Sequence, residues 1–173
     1  MPIVQYEDFF PEEIFQECVA TAKDLLQRPT NVFCTNRFWD FDIRKDSFPV
    51  LIHNIFKNTD LHNNVKKIIE QKTERDINDS NIMMYFWTRH SYIPWHNDYT
   101  YDGAITIYMN NEWHRDFGGY FIYEDDNQDL KAIIPKRNLG VMQYGSVQHC
   151  TTPVNYDGDL RITVQAFLRN RTK

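Results

Sequence analysis

Cysteine is scarce in this chain and poorly placed for structural use. The three, Cys18, Cys34 and Cys150, are odd in number, widely spaced and never form a C-x-x-C pair, so neither a disulfide framework nor a thiolate zinc site is supported. A reduced, cytoplasmic compartment is the simplest expectation. No apolar run approaches membrane-spanning length. The opening Met1-Pro-Ile-Val-Gln-Tyr-Glu-Asp8 lacks the basic region and apolar stretch of a secretion signal. No membrane partner is expected. There is no excess of positive charge either: 19 Lys and Arg stand against 24 Asp and Glu, for a net charge of −5, and the basic residues are scattered. That argues against a nucleic-acid partner. Repeats, low-complexity tracts and linkers are all missing, and 173 residues suit one domain with a sizeable core. We therefore expect a single domain over residues 1–173, with helical support over 1–80 and a core over 81–170.

Aromatic residues are abundant, at 15% with 12 Phe, 10 Tyr and 4 Trp, which suits a β-rich core with aromatic-walled pockets. Residues 11–26 predict an amphipathic helix, with proline at its start, acids in the first turn and Ile14, Phe15, Cys18, Val19, Ala22 and Leu26 on one stripe. A second helical region is predicted from about Phe48 to Lys72 in two pieces, patterned by Leu51, Ile52, Ile55 and Phe56 and then by Leu61, Val65, Ile68 and Ile69. Between them, 31–43 reads as an edge strand, and 44–47 as a loop. From Asn81 onward short strand candidates alternate with turns: 82–87, 104–110, 119–123, 130–134, 139–144 and 161–168. Helices followed by closely connected strands predict a mainly β protein, a sandwich or jelly roll with the N-terminal helices packed on one sheet.

The most informative local feature is His96-Asn-Asp98, followed far downstream by His149. Two imidazoles and a carboxylate can hold one face of an octahedral Fe(II) and leave positions for a chelating cosubstrate and dioxygen. Residues at i and i+2 of a strand share a face, and the fold must return the third. A second H-x-D, His114-Arg-Asp116, lies in a polar stretch before Gly118-Gly119 and reads as a solvated loop. A dicarboxylate cosubstrate would need a cation at its far end, and Arg161, twelve residues after His149, has the planar fork for it. Lys136 and Arg137 are alternative cations behind a turn-forming Pro135.

Taken together, the elements between Ile82 and Leu168 resemble the 2-oxoglutarate and Fe(II)-dependent dioxygenases, and within them the prolyl 4-hydroxylase-like group. Those elements are Tyr85, His96-x-Asp98, the strand ending Ile107-Tyr-Met-Asn110, a tryptophan-containing polar loop, Gly118-Gly-Tyr-Phe-Ile-Tyr123, Ile134-Pro135, His149 and Arg161. The resemblance implies a double-stranded β-helix with helices outside it. It implies His96, Asp98 and His149 as iron ligands, and Arg161 as the residue binding the distal carboxylate of 2-oxoglutarate. Tyr85 and Tyr108 are implied as hydroxyl partners of that cosubstrate. The implied activity is hydroxylation of an unactivated C–H bond using O2, with release of succinate and CO2 and with ascorbate as an accessory reductant. The implied substrate is first a prolyl residue of a peptide or protein, and alternatively a free amino acid or other small molecule.

Trp95, Tyr99 and Tyr101 are candidates to line a channel over the metal, 99–103 and 38–43 are candidate lids, and Asn97, Trp95 and Gln148 are candidates to orient the ligands. Nucleic-acid demethylases of the same superfamily carry an acidic residue after the H-x-D and a second arginine in the last strand, where this chain has Thr100 and Phe167. A cupin-like zinc hydrolase could use the same three ligands. A noncatalytic binding domain is the remaining reading, against which the complete ligand set argues.

Overall fold

Side chains alternate between the two faces of a strand, and here the alternation sorts the molecule into three layers. In the computed structural model, which describes residues 3–27, 35–37, 50–53, 59–156 and 160–170, eleven described strands form two antiparallel sheets. The larger has the order β1-β9-β6-β11-β4-β3-β2 and the smaller β5-β10-β7-β8. The strands are β1 (Ile3–Tyr6), β2 (Thr35–Arg37), β3 (Val50–His53), β4 (Asp76–Trp87), β5 (Ile93–His96), β6 (Gly103–Tyr108), β7 (Phe121–Glu124), β8 (Leu130–Ile133), β9 (Gly140–Tyr144), β10 (His149–Thr151) and β11 (Arg161–Arg169). Two helices, α1 (Glu12–Leu26) and α2 (Asp60–Thr73), complete the described elements apart from a 3-10 turn at Arg115–Phe117. The protein is mainly β.

One face of the larger sheet is aliphatic. Ile82, Met84 and Phe86 of β4 and Val164, Ala166 and Leu168 of β11 cluster with Phe15, Cys18 and Ala22 of α1 and Val65 and Ile69 of α2. The opposite face of the same strands carries Tyr85, Trp87, Arg161, Gln165 and Phe167, which line a cavity. Deeper between the sheets, Tyr108 and Val141 pack with Phe121 and Ile133 of the smaller sheet. The helices thus serve as a hydrophobic backing, worth about 1.5–3 kcal/mol for each large apolar side chain fully buried, and leave the inner face to the cavity. Among the described residues, no helix is long and apolar enough to cross a membrane.

The helix at 11–26 forms at Glu12–Leu26 behind Pro11, but its buried stripe ends at Leu25 while Leu26 is exposed. The second helical region needs a larger correction. Its first piece is not helical at 50–53, where β3 pairs with β4 through Leu51↔Phe86, Ile52↔Tyr85 and His53↔Met84. A sheet edge already in place offers backbone partners to a short β-branched run, and this overrides a four-residue helical pattern. Residues 54–58 lie outside the described residues. The second piece is α2, whose N-cap Thr59 accepts from the His62 amide at 3.0 Å and whose C-cap Glu74 is left-handed at φ 54°.

The edge strand anticipated within 31–43 exists as β2 at the end of the larger sheet. The loop at 44–47 and the lid at 38–43 lie outside the described residues, as does Cys34. Strand β4 starts earlier than its apolar run, because β11 continues past a bulge to pair Leu168 with Ile77 and Arg169 with Asp76. Residues 1–80 supply β1, β2 and β3 as well as the helices.

Candidate functional site

His96 ends β5 and His149 opens β10, and the two are direct cross-strand partners, so their rings lie 4.2 Å apart. Asp98 stands two residues beyond the end of β5 in a turn closed by the Tyr101 amide on the Asp98 carbonyl at 2.8 Å. That turn swings its carboxylate back to the histidines. Oδ1 lies 4.0 Å from Nε2 of His96 and Oδ2 lies 3.7 Å from Nε2 of His149. One donor atom from each of the three side chains falls within 4.8 Å of the others. Gly145 presses on the same turn: a Cβ there would come within 2.9 Å of the Asp98 carbonyl oxygen.

Both imidazoles are held in one tautomer. A carbonyl can only accept, so Nδ1–H of His96 donates to Pro94 at 2.8 Å and Nδ1–H of His149 donates to Val147 at 2.9 Å. Each ring then presents a lone pair on Nε2, the form that binds a metal, with its orientation fixed from behind. Phe121 stacks at 5.2 Å on His149. The donor set, two neutral imidazoles and one carboxylate at a cavity wall, fits a divalent first-row metal with open positions.

Burial and the neighbouring His96 pull the proton affinity of His149 down from 6.5 to about 4, against the opposing pull of Asp98 and the Val147 carbonyl. Its folded value lies below its unfolded value, so the unfolded chain binds more protons between them. This contribution to stability is therefore present above pH 6.5 and lost as the pH falls to about 4. Thermal melts of metal-free protein should show Tm dropping across that window, with a shallower drop in His149→Gln. Parallel profiles for the two proteins would rule out His149 as the group responsible.

The three side chains sit on a cavity of about 590 Å³ bounded by both sheets, and Arg161 is the one cation lining it among the described residues. Arg161 is 1% exposed, and its guanidinium lies 4.6 Å from the Trp87 ring centroid and 5.0 Å from that of Tyr108. Its Nε and Nη1 have no hydrogen-bond partner among the described residues. Burial lowers its proton affinity, an effect that Tyr108 opposes, yet a guanidinium stays charged. A buried, planar cation with two unsatisfied N–H positions, lining a cavity, is a ready seat for a carboxylate. Asp159, the acidic residue two positions upstream, lies outside the described residues. Lys136 and Arg137 are elsewhere on the surface, paired with Glu7 and Glu12.

Tyr85 lines the cavity and stacks on Trp87 at 6.2 Å. Tyr108 is deeper, 1% exposed, with its hydroxyl unpartnered among the described residues. Its proton affinity is raised by burial and opposed by the charge of Arg161. His114, which caps the 3-10 turn, and Asp116 within it are solvent-exposed, as expected for the second H-x-D. Trp95, Tyr99 and Tyr101 all reach the cavity, Trp95 and Tyr99 as exposed rim residues. Thr100 lines it too, and Phe167 stacks on Tyr101 at 4.4 Å. These two rings form an aromatic stretch of the cavity wall.

Two residues of the site escaped the sequence reading. Gly119, at φ +68°, would drive a Cβ to 2.7 Å from Cδ of Arg161, so this glycine makes the room in which the arginine lies. Gln143 of β9 donates from Nε2 to Oδ2 of Asp98 at 2.7 Å and sits 2.9 Å from Nε2 of His149. Of the residues expected to orient the ligands, Gln148 and Trp95 are exposed and Asn97 accepts from the Tyr99 amide at 3.4 Å. The available signal for Gln143 was the alternation in Gly140-Val-Met-Gln-Tyr144, which puts a polar residue on the same face as the buried Val141.

No model of a protein family matches this sequence, and no curated protein matches it. Solved structures do match in fold. A prolyl-4-hydroxylase from Pseudomonas putida aligns over 98% of this chain and 93% of its own, at 13% identity and a TM-score of 0.75. A prolyl hydroxylase from Trichoplax adhaerens, in complex with a hypoxia inducible factor oxygen degradation domain peptide fragment, covers 98% of this chain and 84% of its own, at 12% identity and a TM-score of 0.81. The non-heme alpha ketoglutarate dependent epimerase SnoN of nogalamycin biosynthesis covers 99% and 79%, at 10% identity and a TM-score of 0.70. At these identities the likeness establishes a shared fold.

Proposed function

We propose that the chain is a 2-oxoglutarate- and Fe(II)-dependent dioxygenase that hydroxylates an unactivated C–H bond, with a prolyl residue of a peptide or protein as the first substrate class. The observation that carries this reading is the pairing, on one cavity, of the His96, Asp98 and His149 cluster with the buried guanidinium of Arg161, whose Nε and Nη1 have no hydrogen-bond partner among the described residues. A zinc hydrolase would use the cluster and have no need of the arginine. The strand order supports the same reading. Counting β4 as first, the larger sheet holds the first, eighth, third and sixth strands and the smaller the second, seventh, fourth and fifth, as in a double-stranded β-helix that the whole chain would form as a single domain.

His96, Asp98 and His149 would hold the iron, each histidine through Nε2. Arg161 would pair with the distal carboxylate of 2-oxoglutarate, its fork kept rigid between Trp87 and Tyr108, with the Tyr108 and Tyr85 hydroxyls as further contacts. Bound iron and 2-oxoglutarate supply the oxidising chemistry, in which O2 is consumed, succinate and CO2 leave and the substrate gains a hydroxyl. The protein orients and shelters. Phe121, Ile93 and Phe167 keep part of the wall apolar, and Trp95 and Tyr99 offer flat faces at the mouth to a ring or peptide. The peptide held by the Trichoplax adhaerens enzyme of the same fold supports a peptide substrate.

An anaerobic titration of metal-free protein with Fe(II) and then 2-oxoglutarate should produce the visible metal-to-ligand charge-transfer band of chelation. A folded protein that takes up metal and shows no band would overturn the oxygenase reading and bring zinc hydrolysis forward. Gly119→Ala gives a second test. The added methyl collides with Arg161 in a backbone conformation that disfavours L residues, so the 2-oxoglutarate requirement should rise at least about tenfold, as expected when a charge-assisted contact loses roughly 1.5 kcal/mol. An unchanged requirement would mean that Arg161 is not the carboxylate's seat.

A further inference from the structure

Gln143 belongs to the larger sheet, where it pairs with Ala104 of β6 and Ile3 of β1. The side chains it touches, Asp98 and His149, belong to β10 and the turn after β5 in the smaller sheet. It is 1% exposed. The chemistry of its partners decides which way its amide points. Asp98 can only accept as a carboxylate, and Nε2 of His149 can only accept because Nδ1–H is committed to the Val147 carbonyl at 2.9 Å. The NH2 group therefore faces both, at 2.7 and 2.9 Å, and one amide spends its two hydrogens on two members of the cluster. Its Oε1 is buried without a partner among the described residues, so no bond to that oxygen fixes the amide. The contacts with the cluster do.

These bonds differ in what they ask of a metal. The Asp98 carboxylate has two oxygens, and Gln143 takes Oδ2, leaving Oδ1 on the side of His96 at 4.0 Å. A carboxylate gripped at one oxygen cannot rotate freely and offers the other. The imidazole of His149 has one lone pair, and a metal must take the same one that Gln143 uses. The first bond is compatible with ligation and the second is an alternative to it.

We propose, on the metal-centre reading above, that Gln143 is a positioning residue. Its amide holds Asp98 so that Oδ1 is the ligand atom, and it surrenders Nε2 of His149 when metal arrives. Gln143→Met keeps length and volume and removes both donors, so a role in packing alone predicts no change in metal binding.

The test is a titration with Co(II), followed by its visible d–d absorption, in the full chain and in Gln143→Met and Asp98→Ala. Groups that hydrogen-bond to metal ligands typically contribute about 10–100-fold to affinity, and a loss of that size is expected in Gln143→Met, with a far-UV circular dichroism spectrum like that of wild type. Wild-type affinity in Gln143→Met would overturn the role of Gln143 and leave the metal centre standing. If wild type and Asp98→Ala both fail to take up Co(II), the metal-centre reading falls and this role with it.

A measurement on wild type alone covers the case of a variant that does not fold. In 15N-labelled protein, Zn(II) should shift the side-chain NH2 resonances of Gln143, while one of its two protons stays protected from exchange on Asp98. An NH2 pair unmoved by Zn(II), or two freely exchanging protons, would overturn the proposal.

Discussion

Asp98→Ala should abolish Fe(II)-dependent turnover while the protein stays folded. Asp98 is the only anionic member of the cluster, and removing a ligand should exceed the roughly 10–100-fold loss of affinity that follows removal of a group bonded to one. The fold has little at stake. The Asp98 side chain is 14% exposed at the cavity wall and lies outside the apolar clusters that join helices to sheet and sheet to sheet. What it does hold is the amide of Gln143, which retains His149 as a partner. Circular dichroism and a Tm within a few degrees of wild type should accompany the loss of turnover. Full activity in the folded variant would remove Asp98 from the chemistry and His96 and His149 with it, since two neutral imidazoles make a poor site for Fe(II).

Arg161→Met should separate function from stability in the opposite sense. A buried guanidinium with no carboxylate partner among the described residues costs desolvation that its contacts with the Trp87 and Tyr108 rings offset only in part in the free protein. Even buried ion pairs are often replaced by well-packed apolar residues with a neutral or stabilising effect of about 1–4 kcal/mol, and a buried charge without a counter-ion has less to lose. Met also keeps contact with Trp87 and Tyr108, the rings between which the guanidinium lies. The Tm of ligand-free Arg161→Met should therefore equal or exceed that of wild type. Its 2-oxoglutarate requirement should rise steeply, because losing one partner of a buried charge pair costs about 2–5 kcal/mol, roughly 30-fold or more in affinity. Fe(II) affinity should scarcely change. A destabilised variant that binds 2-oxoglutarate normally would make Arg161 a structural residue and move the carboxylate contact elsewhere.

Much of this protein was legible where a local pattern and its tertiary use coincide. The helix at 12–26 and the strands at 103–108, 121–124, 130–133, 140–144 and 161–169 follow hydrophobic periods and turn residues that each segment carries within itself. The elements that were misread owe their form to a partner. Val50–His53 is a strand because β4 offers it an edge. The polar start of β4 is a strand because β11 continues past its bulge. His149–Thr151 is too short to announce itself, and forms because β5 and β7 flank it.

The same division runs through the site. His96 and Asp98 are near neighbours in the chain, and their spacing alone marked them as a pair able to bind metal. The sequence by itself also determined that the protein would be rich in aromatic and β-forming residues. Only the tertiary structure decided that His149 meets them, through the pairing of β10 with β5. It alone buried Arg161 beside Gly119 with Nε and Nη1 lacking partners among the described residues, and it alone laid the Gln143 amide on two of the three clustered side chains. The physical reason is one of range. Side-chain chemistry and short-period patterning belong to the residues themselves, whereas burial, register and the lack of a partner exist only once distant segments have been brought together.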